Sequence, residues 1–367
     1  MGKMFVISNP MPLHNNSPAI SLGKFVQVIC AAGYSPEIIG ARFPKDGIPG
    51  VSDTVSVRSY SYGGKSVFKL LSFIFLQIRT FFSCLVRFRK GDPVYFWIAD
   101  KMIGPFLAAR IKKCEINYFL YGKVFGDGIG GFSEKLIRFM MNRASYVCTE
   151  SPSVLDQWDV SESKHRDSIN LFVPENDIGV TPYNERKKTV AMYCRLSVGK
   201  HIDDSVRAFC KLHSKMPEYS LKIIGGGPLY DETVKLIEEL SAGDFITVTG
   251  WLEHDRAMRE LSECALLLYP TDAEGVPGGI LEAMSLGVPP LASPAGGIPD
   301  IITDGVDGII LPSADEKSIE TALENVVLSG SLEDMSIAAI EKICERFSLE
   351  GAALNFKTVR ESHNSER

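Results

Sequence analysis

The chain has 367 residues, room for two domains of ordinary size with a core each. Its 45% hydrophobic and 23% charged content is that of a globular protein and sets aside a disordered or fibrous chain. The formal net charge of -6 is unevenly divided: residues 1–180 hold 21 Lys/Arg against 15 Asp/Glu, the remainder 18 against 30, so the first half is expected to face something anionic.

No nucleic-acid motif accompanies that basic half, which leaves an anionic membrane surface or a phosphate-bearing acceptor. The eight cysteines are scattered, mostly inside apolar runs, and form no Cys-x-x-Cys pair, which is the usage of a reducing compartment. The apolar run at the N-terminus is too short for a signal peptide, and Val6 stands where a myristoylation signal wants Ser or Thr. The expected location is the cytoplasm.

In chain order, Met4 to Ser8 reads as a first strand, Asn9 to Pro18 as a polar loop, Ala19 to Ala32 as a helix and Ser35 to Gly40 as the next strand, a βαβ unit. Ser66 to Lys90 is the most hydrophobic segment. Lys69, Gln77 and Arg79 interrupt it and Arg87-Phe-Arg-Lys90 closes it, which argues against a membrane crossing. Two readings stay open: a buried helix with a basic end, or a helix in the interface of an anionic membrane, which would place the chain on the inner face of the cell membrane. Val94 to Ile98, Ile116 to Leu120 and Ala144 to Cys148 continue as strands, with helices Ile103 to Ile111 and Ser133 to Asn142 between them, so this half is a parallel α/β sheet.

Pro174 to Lys188 reads as a linker, giving an N-terminal domain over 1–180 and a C-terminal one over 181–349. The second domain opens with the strand Thr189 to Cys194, whose loop places Arg195 and Lys200 five positions apart at a strand's carboxyl end. Leu221 to Ile224 and Phe245 to Val248 are further strands. Gly225-Gly-Gly-Pro228 fails the dinucleotide fingerprint because Tyr230 stands at the third glycine, which disfavours a pyridine-nucleotide oxidoreductase. Helices Glu316 to Val327 and Leu332 to Arg346 close the domain.

The apolar run Leu266 to Pro270 reads as a buried strand, and Thr271 to Pro277 as its loop. Gly278-Gly279 opens a short helix that ends at Gly287 before Pro289. Where a strand's carboxyl end meets a helix's amino end, unpaired N–H groups and the helix dipole attract an anion, with phosphate the natural guest. Glu274 and Glu282 flank that amide cluster. They would repel phosphate and instead accept hydrogen bonds from hydroxyls attached to it, or Glu282 simply favours its own helix N-terminus.

Glu274 and Glu282 with seven residues between them, then Ala-Met-Ser-Leu-Gly-Val-Pro and Gly296-Gly-Ile-Pro-Asp300, resemble the donor-site signature of the retaining glycosyltransferases of family 4, glycosyl transferases group 1. The resemblance covers roughly Val190 to Pro312. It implies an α/β GT-B architecture, two Rossmann-like doubly wound parallel-sheet domains facing a central cleft, with the tail 350–367 packing back on the first. It implies an enzyme that moves a sugar from a nucleotide diphosphate sugar to a glycan or lipid-linked acceptor in cell-surface polysaccharide or glycolipid synthesis, without a metal or other cofactor. The sequence contains no Asp-x-Asp pair of the metal-dependent GT-A kind. A catalytically inactive nucleotide-sugar-binding protein stays open as the alternative.

Carried over residue by residue, Arg195 and Lys200 would hold the diphosphate together with the amides of Gly278 to Leu281, Ile280 included. Glu274 would orient sugar hydroxyls, Glu282 the ribose, and the backbone at Trp251 and Leu252 would lie near the base. His201 replaces the Gly that usually follows the Lys. Tyr121 sits where the family commonly has a His, and Leu13-His14-Asn15-Asn16 replaces the acceptor-side Gly pair, so His14 and Asn15 are the acceptor-side candidates.

Overall fold

The computed structural model describes residues 3–12, 17–63, 67–122, 131–160, 165–175 and 177–365. They form two compact units, each built on one parallel sheet.

The first unit takes in the chain to Tyr121, 131–172 and the chain from Leu349. Its elements are β1 (Met4–Ser8), α1 (Ser17–Ala31), β2 (Pro36–Ala41), β3 (Ser56–Tyr60), α2 (Val67–Arg87), β4 (Pro93–Trp97), α3 (Ile103–Ile111), β5 (Glu115–Phe119), α4 (Gly131–Met141), β6 (Tyr146–Thr149), α5 (Pro152–Gln157) and β7 (His165–Ser168). The strands run in the order β3-β2-β1-β4-β5-β6-β7. Every residue of β1, β4 and β5 is buried, because helices cover both faces of a parallel sheet. The two edges are different. β3 (Ser-Val-Arg-Ser-Tyr) and β7 (His-Arg-Asp-Ser) are polar, their apolar pattern is too thin to signal a strand, and the sequence reading names neither.

The second unit, Val173–Ser348 with Gly122, contains β8 (Lys187–Tyr193), α6 (Ile202–Lys215), β9 (Ser220–Ile224), α7 (Tyr230–Glu239), β10 (Ile246–Val248), α8 (His254–Ser262), β11 (Cys264–Tyr269), α9 (Gly278–Ser285), β12 (Pro290–Ala292), α10 (Ile298–Ile301), β13 (Ile309–Ile310), α11 (Glu316–Ser329) and α12 (Leu332–Arg346). Its strand order is β10-β9-β8-β11-β12-β13. The direction of winding reverses between β8 and β11, and a doubly wound sheet binds its ligand outside the strand ends at that point.

The units divide at Phe172/Val173 and Ser348/Leu349, ahead of the 180/181 boundary read from composition. Val173 N–H donates to Phe347 O at 2.8 Å, which fastens the start of the segment to the end of α12. β8 begins inside the expected linker, because Lys187 N–H donates to Glu263 O at 3.0 Å and its ammonium pairs with the Glu263 carboxylate.

The buried-helix reading of Ser66 to Lys90 does not describe α2. Only Leu76, Thr80 and Cys84 are buried, while Phe68, Leu71, Phe75 and Phe82 are among nine large apolar side chains exposed along it.

A last helix, α13 (Leu349–Ser365), packs on α1. Phe356 is fully buried against Phe25, Tyr34 and Tyr95, and Asn355 Oδ1 accepts from Asn170 N–H at 3.0 Å. Below it Arg360 pairs with Glu115, and His363 stacks on Tyr146 at 3.4 Å and bonds Asp167 at 2.8 Å. Burial works against the Glu115 charge, yet His363 at 3.7 Å and hydrogen bonds from Arg360 and Asn117 hold its pKa down at about 2. A buried pair is worth little against apolar neighbours, but halving it strands a charge. Arg360→Leu is therefore expected to cost about 3–5 kcal/mol in chemical denaturation, and Glu115→Gln in the same chain to recover much of it. A loss below about 1 kcal/mol for the single variant would show that Glu115 does not rely on Arg360.

Candidate functional site

The carboxyl ends of β8 and β11 carry the groups that the sequence singled out. The loop after β8 rises through Arg195 to Lys200, and the loop after β11 runs from Pro270 to Pro277 and ends on the first turn of α9. Between them lies a cavity of about 330 Å³, lined by Arg195, Trp251, Leu252, Gly279 and Glu282 among others, so five of the sequence-derived residues converge there. His254 also lines it, and a second hollow of about 420 Å³ opens beyond His254 and Glu282, bounded by Glu175, Asp177, Met258 and Arg259.

The sequence reading gives Lys200 the diphosphate and Glu274 the sugar hydroxyls, and the structure brings the two side chains together. Their side chains, 15% and 19% exposed, form an ion pair, because a carboxylate and an ammonium this sheltered each lower the other's cost of burial. Lys200 Nζ also lies 3.3 Å from Tyr269 OH and from Thr271 Oγ1. Tyr269 donates its hydroxyl to Glu274 at 3.0 Å, and Tyr193 lines the cavity beside Glu282. Each carboxylate of the motif thus lies near a tyrosine that ends a strand, and burial first, then that carboxylate, pushes both phenols well above 10. Neither tyrosine was singled out from sequence, although each closes an apolar strand at the switch point. Burial likewise pushes the Cys194 thiol up to about 11, against the pull of Lys200, so it is no thiolate nucleophile at neutral pH.

The anion-binding end of α9 differs from expectation in one respect. Ile280 and Leu281 N–H both donate to Pro277 O, at 3.1 and 3.4 Å, and their side chains are buried in the core. The first-turn donors that the helix does not use are therefore Gly278 and Gly279. A Cβ on Gly279 would stand 3.3 Å from Tyr193 O, so glycine lets the helix start close to β8.

The glycines after β9 serve packing. A Cβ on Gly225 would meet Cys194 O at 2.1 Å, one on Gly227 would meet Leu196 O at 2.3 Å, and one on Gly226 would meet the Trp251 ring at 2.8 Å. Leu196 N–H donates to Gly226 O at 3.0 Å, so this turn props up the Arg195 loop instead of cradling a dinucleotide.

His201 accounts for its own departure from the family's glycine. It adopts a left-handed φ of +45°, a conformation that glycine adopts without strain. Its ring lies 2.7 Å from Asp272 Oδ1 and 3.0 Å from Asp204 Oδ2, and Asp272 N–H donates to Gly199 O at 3.0 Å. The two loops are clasped by this histidine as well as by Lys200 and Glu274.

Tyr121 follows β5 in the first unit, where its carbonyl accepts from Trp158 Nε1 at 2.7 Å and burial pushes its phenol up. His14 and Asn15 lie outside the described residues. After β6 the same unit carries Glu150, which no motif marks. Burial pushes its carboxyl up to about 7 against the pull of Lys24.

Two parallel doubly wound units with this strand order define the GT-B class of fold. Anabaena HepE, solved in complex with UDP, superposes with a TM-score of 0.76 at 14% identity, over 98% of this chain and 100% of that one. Residues 174–342, most of the second unit, match the family model described as glycosyl transferases group 1. The N-acetyl-alpha-D-glucosaminyl L-malate synthase of Bacillus anthracis is 23% identical over 75% of this chain and 73% of its own length. The UDP-N-acetylglucosamine--peptide N-acetylglucosaminyltransferase GtfA subunit of Streptococcus gordonii is 33% identical over 74% of this chain and 53% of its own. The chain spans only 15% to 53% of the length of most curated relatives that it matches.

Partial burial of the His201 ring opposes its charge, but hydrogen bonds to Asp272 and Asp204 outweigh this and hold its pKa above 6.5. A raised histidine pKa gives stability that is full below 6.5 and is lost as pH rises through the folded value. His201→Ala is expected to lower stability by about 0.5–1 kcal/mol at pH 6, discounted because Asp272 is largely exposed, and by less at pH 8. Equal losses at the two pH values in urea denaturation would show that the ring does not titrate between them.

Proposed function

We propose that the chain is a retaining glycosyltransferase that moves a sugar from a nucleotide diphosphate sugar to a glycan or lipid-linked acceptor, in polysaccharide or glycolipid synthesis. The observation that carries the reading is the convergence of Arg195, Glu282 and the α9 N-terminus on one cavity at the switch point, where the lining Tyr269 hydrogen-bonds Glu274 of the Lys200–Glu274 pair. The names of the relatives support the chemistry: a synthase that acts with N-acetylglucosamine and a UDP-N-acetylglucosamine transferase. HepE supports a nucleotide in such a site through its complex with UDP.

In this reading the nucleoside lies along Trp251 and Leu252, with Glu282 accepting from ribose hydroxyls. The diphosphate meets Arg195, Lys200 and the Gly278 and Gly279 amides. Lys200 then exchanges Glu274 for a phosphate oxygen, which releases Glu274 to accept hydrogen bonds from the sugar. As the bond from the anomeric carbon to the phosphate oxygen breaks, negative charge grows on the diphosphate, and fixed cations and amides stabilise that state more than the bound donor. The acceptor oxygen bonds to the anomeric carbon from the same face, and its proton passes to the departing phosphate oxygen. Protein cations and a helix N-terminus supply the positive charge, so no divalent cation is required.

The test is release of nucleoside diphosphate from a panel of nucleotide sugars in the presence of EDTA. Arg195→Ala is expected to lower turnover by about 10²–10³-fold while donor affinity falls less, the scale of losing a preorganised donor at a developing anion. Arg195→Lys is expected to restore only part, since an ammonium lacks the planar fork that grips two oxygens. No turnover with any donor, with nucleotide still bound, would leave an inactive nucleotide-sugar-binding protein.

A further inference from the structure

We propose that the outward face of α2, continued by α3, is a docking surface for a bilayer carrying anionic lipids, with α2 lying flat at the boundary between headgroups and acyl chains. The proposal rests on the first unit alone and is independent of the donor reading.

A surface helix of a water-soluble domain turns its polar side outward. α2 does the reverse. Leu71, Ile74, Phe75, Ile78, Phe82 and Val86 follow helical spacing on the side away from the core, and each is 47% to 84% exposed. α3 extends the patch with Leu107 and Ile111, one turn apart and 45% and 61% exposed. The seam between the helices is an apolar crevice of about 340 Å³, walled by Ile78, Phe81, Phe82, Ile103 and Leu107. A contiguous apolar surface of this extent marks an interaction site.

The charge around it identifies the occupant. Between Val67 and Lys113 the chain has nine Lys/Arg and two acidic residues, Asp92 and Asp100. Asp92 is buried and accepts from Arg89 N–H at 2.8 Å, and Asp100 accepts from Asn9 Nδ2. Arg87 is shared with Glu37 at 3.2 Å. Arg89 and Lys90 at the end of α2 adjoin Lys112 and Lys113 at the end of α3, because Gly91 N–H donates to Lys113 O at 3.1 Å and Cys114 Sγ to Arg89 O at 3.4 Å. An apolar plane edged by cations complements anionic headgroups over acyl chains. Two copies of this face would bring like charges together, which disfavours self-association.

By length and composition α2 could cross a bilayer. Its inner side is fastened instead. Gln77 Nε2 donates to Lys101 O and its Oε1 accepts from Gly104 N–H, both at 2.9 Å, and a Cβ on Gly104 would meet Gln77 O at 2.2 Å. Crossing would strip these bonds and uncover Leu76 and Cys84, whereas lying flat keeps them.

The experiment is co-sedimentation of the full chain with vesicles of phosphatidylcholine alone or with about 30 mol% phosphatidylserine. Binding to the anionic vesicles at low salt is expected, weakened roughly tenfold by high salt or by Arg89→Glu with Lys90→Glu. Phe75→Glu with Phe82→Glu is expected to weaken it by about tenfold or more, with unchanged circular dichroism because both side chains are exposed. As a measurement that adds no charge, Phe75→Trp should shift its emission to the blue on vesicle addition. No binding to anionic vesicles, no spectral shift, or full binding by the double glutamate variant would overturn the proposal. A dimer by light scattering that Phe75→Glu dissolves, with no vesicle binding, would assign the face to a second copy of the chain.

Discussion

Two carboxylates held where an anion is to be received set a charge problem that shapes the second unit. Glu274 and Glu282 would repel a phosphate at the mouth of β8 and β11 unless their charge were balanced locally. Lys200 answers Glu274 with an ion pair, and Tyr269 hydrogen-bonds the same carboxylate from a strand end. The loops must then be held close enough for those contacts. That requirement explains the glycines at 225 and 227 packed on the Arg195 loop and the strained His201 spanning Asp204 and Asp272. In the proposed reading this pair persists until the donor diphosphate competes for Lys200.

Much of this was legible in the sequence. The interior strands announce themselves because both faces of a parallel sheet are buried, and β1 and α12 fall where the apolar pattern puts them. The edges were not legible, since β3 and β7 are held by backbone pairing to β2 and β6 and by few apolar side chains. The position of β8 was obscured for a related reason. Lys187 looks like linker by its charge, and only Glu263, distant in sequence, makes it strand. In the site, the motif located Glu274, Glu282, Arg195 and Lys200. Spacing along a chain cannot show that Lys200 is paired with Glu274, nor that helix formation uses the Ile280 and Leu281 amides.

The first unit handles its charges in the opposite way. It buries Arg360 and His363 of α13 against Glu115 of β5 and Asp167 of β7, and turns the apolar side of α2 toward the outside. Composition alone left α2 open between a core helix and an interfacial one, because hydrophobicity does not say which side a helix shows its own domain. The outcome was decided by Gly104 and Gln77, which bring α3 against the narrower, more polar side of α2 around Thr80 and Cys84.

The exchange of Lys200 between Glu274 and phosphate is the central claim for the donor site, and nucleoside diphosphate binding to Glu274→Gln tests it most directly. Removing the competing carboxylate leaves Lys200 unpaired in the apo protein, so UDP or whichever diphosphate binds the wild type is expected to bind the variant roughly tenfold tighter by calorimetry, a gain of about 1.4 kcal/mol, although sugar transfer falls. Unchanged or weaker diphosphate binding by Glu274→Gln, with the fold intact, would show that Lys200 does not pass from Glu274 to the phosphate.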